Sequence, residues 1–363
     1  MAEAKNEPAK LRKTATLKNC IVTGGSGFLG SALAKGLLEK GCKVRVLDVA
    51  PIDFKHANLE YFKCDLSNYD DMEKHFAGID TVFHAAAIID LRGGSGTTAA
   101  ARNRSHAVNV LGGRNVLKAS SKHGVKRVVA TSSNNSTLNR TPNPDMDSRT
   151  PYATDIFDLY TETKVIIEPE ILRYSGTDGV LTGVIRPSGI YGPGNNYMMV
   201  QLLEKMAAGM LVSNMGTPQA VHDASFIDNL ITGHIQLAEN LVEGSPCCGK
   251  AYFIVDDEKM NQFEFFRPMI EGCGYKFPKL WVPSSMIRPW MVIWQWLHWK
   301  FNLPRPLLTP KEVDKCCITH FANTRDAYED FGWRPTGTYE EYMEVCVPWC
   351  QEKLKEIKAK KKK

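Results

Sequence analysis

A short apolar run, residues 19–23 (NCIVT), passes without a spacer into GGSGFLG, and residues 31–39 then show helical periodicity. Gly24, Gly27 and Gly30 stand in a G-x-x-G-x-x-G spacing between that strand and that helix. The junction constrains the chain strongly. A backbone free of side chains at a helix N-terminus lets amide N–H groups meet the charge of a pyrophosphate. A tight turn that merely needs small residues is the competing reading, and the strand-to-helix setting argues against it. Residues 43–48 (KVRVLD), 61–62, 81–85 (TVFHA), 127–131 (RVVAT) and 181–186 read as further strands. Helical patterns around residues 70–76, 107–123 and 157–172 separate most of them. Strands alternating with helices at this spacing predict an α/β fold with a doubly wound parallel sheet.

Beyond Pro187 the pattern loosens into turns, such as YGPGNN, and shorter periodic runs. The expected division is a disordered segment 1–17, a dinucleotide-binding domain 18–186, a smaller substrate lobe 187–350 and a Lys-rich tail 351–363. Asp48 ends the second strand, eighteen residues after Gly30. A carboxylate there accepts hydrogen bonds from the adenosine ribose hydroxyls and repels a 2′-phosphate. Val49 and Ala50 follow, with no Arg to neutralise that phosphate, so the cofactor expected is NAD rather than NADP. Asp65, after the third strand, could bond the adenine amino group or cap a turn.

Composition narrows the class. Of 363 residues, 43% are hydrophobic and 23% charged, which excludes wholesale disorder. The formal charge of +5 sits in the last thirteen residues, with seven Lys and two Glu, so the body is neutral and lacks a nucleic-acid footprint. The ten Cys contain no C-x-x-C and the nine His show no metal spacing, so no metal is assigned; His222-Asp223 reads as lobe structure. With no secretory signal at the start, the thiols are read as reduced and facing a cytosolic compartment. Five of the seven Trp fall within WVPSSMIRPWMVIWQWLHWK, residues 281–300. That stretch is too short and interrupted to span a bilayer as a helix. It predicts a helix that caps an apolar cavity, lies in a membrane interface or is buried in the core.

Tyr160 and Lys164 stand four apart in a helical stretch and so share one face. Spacing alone is weak: Tyr275 and Lys279 share it, with Pro278 between them. The first pair gains from its place after a strand ending in Thr131-Ser132-Ser133, because strand ends are where α/β folds put their chemistry. A nearby ammonium favours the phenolate of a Tyr and makes it a base near neutral pH, while a Ser hydroxyl holds the substrate oxygen.

TGGSGFLG, HAAA (residues 84–87), Asn109, Ser133 and Tyr160/Lys164 together resemble the extended short-chain dehydrogenase/reductase superfamily, whose core is a Rossmann fold. FDLYTETK, IRPSGIYGPG, AYFIVDDE, PLLTP and FANTRDAYEDFGWRP extend the resemblance to its 3β-hydroxysteroid dehydrogenase branch. AAIIDLRGGSG is similar to the corresponding stretch of bacterial cholesterol dehydrogenases, and sterol-4α-carboxylate 3-dehydrogenases share many of the motifs. The resemblance implies Tyr160 as base, Lys164 holding the nicotinamide ribose and lowering the Tyr pKa, Ser133 (or Ser132, one register away) binding the 3-hydroxyl, and Asn109 positioning Lys164. It also implies that Phe28, Leu29, Leu66, Ala85 and Pro187 join Gly24, Gly27, Gly30, Asp48 and Asp65 around NAD. Ala130 and SFIDN (residues 225–229) depart from the branch's more aromatic versions.

The activity so implied is NAD-dependent oxidation of a sterol or steroid 3β-hydroxyl to the 3-ketone, with Δ5 to Δ4 isomerisation favoured from the GGSG segment. Oxidation and decarboxylation of a 4α-carboxysterol is the alternative. A sugar-nucleotide epimerase would share the core but bind a polar diphosphate, against the Trp-rich lobe. A non-catalytic NAD-binding regulator would typically have lost Ser, Tyr or Lys. The terminal Lys run resembles a dilysine retrieval signal, with a solvated, disordered charge run as the equal alternative, and would also attract anionic headgroups. The expectation is a peripheral enzyme on the cytoplasmic face of a membrane, the endoplasmic reticulum in a eukaryote and otherwise the cytoplasm, with dimerisation through paired helices implied by the family.

Overall fold

The computed structural model of the chain describes residues 14–90, 98–156, 158–301, 303 and 310–361. Residues 1–13, the GGSG stretch, Phe157, most of PLLTP and the last two lysines lie outside them. β1 (Asn19–Thr23) leads through the glycine loop into α1 (Phe28–Glu39), followed by β2 (Lys43–Asp48), β3 (Leu59–Lys63), α2 (Tyr69–Glu73) and β4 (Thr81–His84). α3 (Ala99–His106) continues through one π-helical turn, Ala107–Leu111, into α4 (Gly112–His123), and β5 (Arg127–Thr131) follows. Next come β6 (Asn143–Met146), α5 (Leu159–Arg173), β7 (Leu181–Pro187), β8 (Gly189–Tyr191), α6 (Met198–Ala207), β9 (Asn214–Met215), β10 (Ala224–Phe226) and α7 (Ile227–Asn240). The remainder runs β11 (Lys250–Ile254), α8 (Gln262–Phe265), α9 (Arg267–Gly272), β12 (Trp281–Val282), α10 (Ser284–Phe301), α11 (Pro310–Cys317), β13 (His320–Ala322), α12 (Arg325–Phe331) and α13 (Tyr339–Lys361).

Seven parallel strands form the main sheet in the order β3-β2-β1-β4-β5-β7-β11. The order reverses between β1 and β4, which opens a crevice at the carboxyl ends of those strands. Alternation along each strand feeds two cores. Ile21, Leu47, Val82 and Val128 pack with Val116 and Leu117 of α4 and Ile167 and Ile171 of α5. On the other face Cys20, Val22 and Val46 pack with Leu33 and Leu37 of α1 and Leu230 and Leu237 of α7. Each such fully buried aliphatic side chain contributes about 1.5–3 kcal/mol.

The layering crosses the boundary expected at 186/187. β11 pairs with β7 in the register Lys250↔Gly183 to Ile254↔Pro187, and α7 covers the sheet beside α1. Residues 250–254 return to the sheet as its edge strand, and Ala251 to Ile254 are buried because the parallel sheet is covered on both faces. The lobe itself is built on three short parallel pairs, β8 with β10, β9 with β12, and β6 with β13. His222 bridges to Met260 and His320 there.

α10 is not a core helix. Met286, Trp290, Val292, Ile293, Trp294, Trp296 and Phe301 are exposed, Trp290 at 69%. No helix among the described residues is long and apolar enough to cross a membrane.

Candidate active site

The carboxyl ends of the parallel strands gather the residues singled out from sequence. Gly24 follows β1 with φ +70, and a Cβ there would meet the Ala86 Cα at 2.6 Å. A Cβ on Gly30 would lie 2.1 Å from the Gly24 carbonyl oxygen, so the helix start can pack on the loop only without one. α1 has Gly27 as its N-cap, with no side-chain cap and no acid in its first turn, which suits the helix N-terminus to an anionic group. Asp48 faces this loop: its Oδ2 accepts the Ser26 N–H at 3.0 Å and its Oδ1 the Ala50 N–H at 3.0 Å. This cradle fits a dinucleotide, with a held carboxylate where a ribose diol would bind.

The other residues linked to the cofactor sit around the same edge. Phe28 lies against Gly194, whereas Leu29 is buried in the core. Ala85 continues β4, its N–H donating to the Thr23 carbonyl at 3.3 Å. Asp65 makes a turn, its Oδ1 accepting the Ser67 N–H at 2.9 Å and the Ser67 hydroxyl at 2.7 Å. Leu66 is buried, with its carbonyl accepting the Asn115 amide at 2.8 Å. Pro187 is buried at the end of β7. Among the described residues no group of three or more His, Cys, Asp or Glu is arranged to hold a metal ion.

Tyr160 and Lys164 lie in the first turns of α5, whose N-cap Asp158 accepts the Thr161 N–H at 2.8 Å. Both are buried. Burial raises the Tyr160 phenol above its ordinary pKa, and a hydrogen bond with Ser133 opposes that rise. Lys164 is held down to about 8 by burial, with the negative charge of Glu168 working the other way. The ammonium donates to the Thr131 carbonyl at 2.6 Å and stands 5.6 Å from the Tyr160 ring centroid.

The geometry separates the two adjacent serines. The Ser132 hydroxyl donates to Glu168, while the Ser133 hydroxyl donates to Asn134 Oδ1 at 3.5 Å and caps the 3-10 turn Asn134–Thr137 by accepting the Asn135 N–H at 3.2 Å. Asn109, in the π turn, reaches Lys164 only indirectly. Its Oδ1 accepts the Ile88 N–H at 2.7 Å, and its amide donates to the Ile88 carbonyl at 3.0 Å and the Thr163 hydroxyl at 2.9 Å. It thereby pins the segment after β4 to the residue next to Lys164. Sequence reasoning passed over Glu168 and His234, and gave His84 no role beyond its place in the HAAA motif. His84 bonds Thr23 at 2.8 Å and His234 bonds Thr131 at 2.9 Å, and burial lowers both imidazoles, to about 3 and about 4. Both are neutral struts at strand ends. An acid eight residues after Tyr160 on the same helix face was the available signal for Glu168.

A profile of the 3-beta hydroxysteroid dehydrogenase/isomerase family matches residues 21–284. A 3-beta-hydroxysteroid dehydrogenase of Mycolicibacterium neoaurum is 41% identical over 334 residues, 92% of this chain and 91% of that protein. A 3 beta-hydroxysteroid dehydrogenase/Delta 5-->4-isomerase of Mycobacterium tuberculosis is 40% identical over 337 residues, 93% of this chain and 91% of that protein. The solved structure of MoeE5 in complex with UDP-glucose and NAD aligns with a TM-score of 0.69 at 20% identity, covering 93% of this chain and 99% of that one. At that identity the likeness concerns the fold alone.

Proposed function

The chain belongs to the 3-beta hydroxysteroid dehydrogenase/isomerase family, and from that premise we propose that it oxidises the 3β-hydroxyl of a sterol or steroid to the 3-ketone with NAD as acceptor. The observation that carries the reading is the Ser133–Tyr160–Lys164 group at the carboxyl edge of β5, beside the β1/β4 crevice. Gly24, Gly27 and Gly30 would hold the pyrophosphate against α1, and Asp48 the adenosine ribose. When bound, the nicotinamide supplies the hydride-accepting carbon and a positive charge that favours phenolate over phenol. Ser133 donates to or accepts from the substrate oxygen and orients the carbinol. Tyr160 takes the hydroxyl proton as the carbinol C–H leaves as hydride, so that one proton and one electron pair depart together. Lys164 keeps a positive charge fixed at the strand end near the phenol.

Isomerisation belongs to the same proposal, supported by the Delta 5-->4-isomerase for which the Mycobacterium tuberculosis relative is named. A 3-ketone beside a 5,6 double bond acidifies C4, and moving the double bond gives the conjugated enone. The exposed apolar side chains of α10 support peripheral docking on a membrane, where Trp is favoured and an apolar substrate resides.

The test is NADH formation by purified protein with detergent-dispersed steroids, the products identified by mass spectrometry. A Δ5-3β-hydroxysteroid is expected to yield the enone. Carbon dioxide release from a 4α-carboxysterol instead would make decarboxylation the follow-on step. Turnover of neither, with tight NAD binding retained, would overturn the steroid reading and leave sugar nucleotides as the next substrates.

A further inference from the structure

Glu168 lies on α5 four residues beyond Lys164 and eight beyond Tyr160, so the three side chains share one face of the helix. Its side chain is 1% exposed, where a carboxylate persists only if paired and hydrogen-bonded. Oε1 accepts from Arg186 Nε at 2.8 Å, from Arg186 Nη2 at 2.6 Å and from the Tyr152 hydroxyl at 3.1 Å. Oε2 accepts from the Ser132 hydroxyl and from the Ser136 hydroxyl at 3.2 Å. Arg186, itself 2% exposed, stands between the rings of Tyr152 and Phe253, at 5.4 and 5.3 Å from their centroids.

One carboxylate therefore joins the catalytic helix to β7 and to the turn after β5. That turn carries Ser133. The Ser136 hydroxyl also reaches the Ser133 carbonyl at 2.8 Å, and Thr131 at the start of the turn accepts Lys164. Three residues of the segment 131–136 are thus tied to two residues of α5, and Glu168 makes two of the three ties.

We propose that Glu168 is a positioning residue for the reaction: braced by Arg186, it fixes through Ser132 and Ser136 the turn that carries Ser133 beside the catalytic helix. The proposal rests on the oxidoreductase reading above. Near these groups the charged or titratable neighbours are Tyr160, Lys164 and Asp158 on or capping α5, His84 from β4, Arg186 from β7 and Tyr152 from the loop before α5.

Glu168→Gln keeps the size and removes the charge. Its kcat is expected to fall about 100-fold with the steroid KM within about threefold, because misplacing a reacting hydroxyl costs rate more than binding. Ionisation of Tyr160, followed by ultraviolet difference spectroscopy against a Tyr160→Phe background, is expected to shift to higher pH as the Ser133 contact loosens. A role in packing alone would lower the melting temperature but leave kcat per NAD-binding site and the ionisation curve as in wild type, and that result overturns the proposal. Should Glu168→Gln fail to fold, Ser132→Ala removes one hydroxyl; a loss of about tenfold in kcat is expected, and wild-type kcat in the folded variant overturns the proposal. A wild-type protein that oxidises no steroid defeats the functional reading, while the phenol ionisation curve still decides the place of Glu168.

Discussion

The Lys164 ammonium donates a 2.6 Å hydrogen bond to the carbonyl of Thr131, two residues before Ser133. The bond fastens the base-bearing helix to the strand that ends in the substrate-binding serine. Its cation is thereby a fixed charge rather than a swinging one.

That buried cation gives stability a pH signature. The folded pKa of Lys164, about 8, lies below the 10.5 ordinary for a solvated lysine in the unfolded chain. Between those values the unfolded chain binds more protons, so this group's contribution rises with pH from about 8 to about 10.5. Below that window the cost of the buried charge is constant. Lys164→Met removes the cost, so the variant should gain about 1–3 kcal/mol on wild type at pH 7 relative to pH 10. Thermal melts of both proteins at the two pH values measure it, and a difference independent of pH refutes the account.

Tyr160→Phe removes the proton acceptor and little else. Oxidation should drop by about 100- to 10,000-fold, the range that a positioned general base contributes. NADH binding, measured by fluorescence titration, should stay within about threefold because no phosphate or ribose contact is lost. Full turnover in this variant would remove Tyr160 from the chemistry.

Asp48 is held by two backbone N–H groups beside the glycine loop. Asp48→Ala should weaken NAD use about tenfold or more through lost hydrogen bonds to a charged group, and should raise use of NADP. The ratio of kcat/KM values for the two cofactors reads both effects. An unchanged ratio would place the adenosine ribose elsewhere.

Replacing Trp290, Trp294 and Trp296 with Ser strips exposed apolar rings from α10. Co-sedimentation with anionic vesicles should fall by about tenfold or more, since interfacial binding scales with buried apolar area. Activity on detergent-dispersed steroid should be retained. Equal vesicle binding by the variant and wild type would end the peripheral reading.

The parts of this site that were legible in sequence are local ones. Gly24 to Gly30 sit in one turn, Asp48 ends one strand, and Tyr160 and Lys164 share one helix, so spacing alone brings each set together. What escaped notice depends on distant packing. Ser132 and Ser133 are neighbours on a strand end, where successive side chains point opposite ways, and only the place of α5 decides which meets Tyr160. Arg186 finds Glu168 from another element eighteen residues away. The run AYFIV is recognisable as a strand, but its return to β7 after a long excursion is a tertiary fact. The Trp-rich helix was equally open: its composition is the same whether its rings face a core or water.

The π turn between α3 and α4 carries a consequence for the whole layer behind it. Each residue advances an α-helix by about 100°, so the wider turn at Ala107–Leu111 sets the rotational phase of everything that follows in α4. Asn115 is aimed at the Leu66 carbonyl, and Gly113 faces Ile167 of the catalytic helix closely enough that a Cβ would lie 2.8 Å from it. Deleting one residue from the turn would swing those faces out of phase with the sheet, while Asn109 lost its grip on Ile88 and Thr163. A single surplus residue thus acts as the clocking that aligns a structural helix with a chemical one.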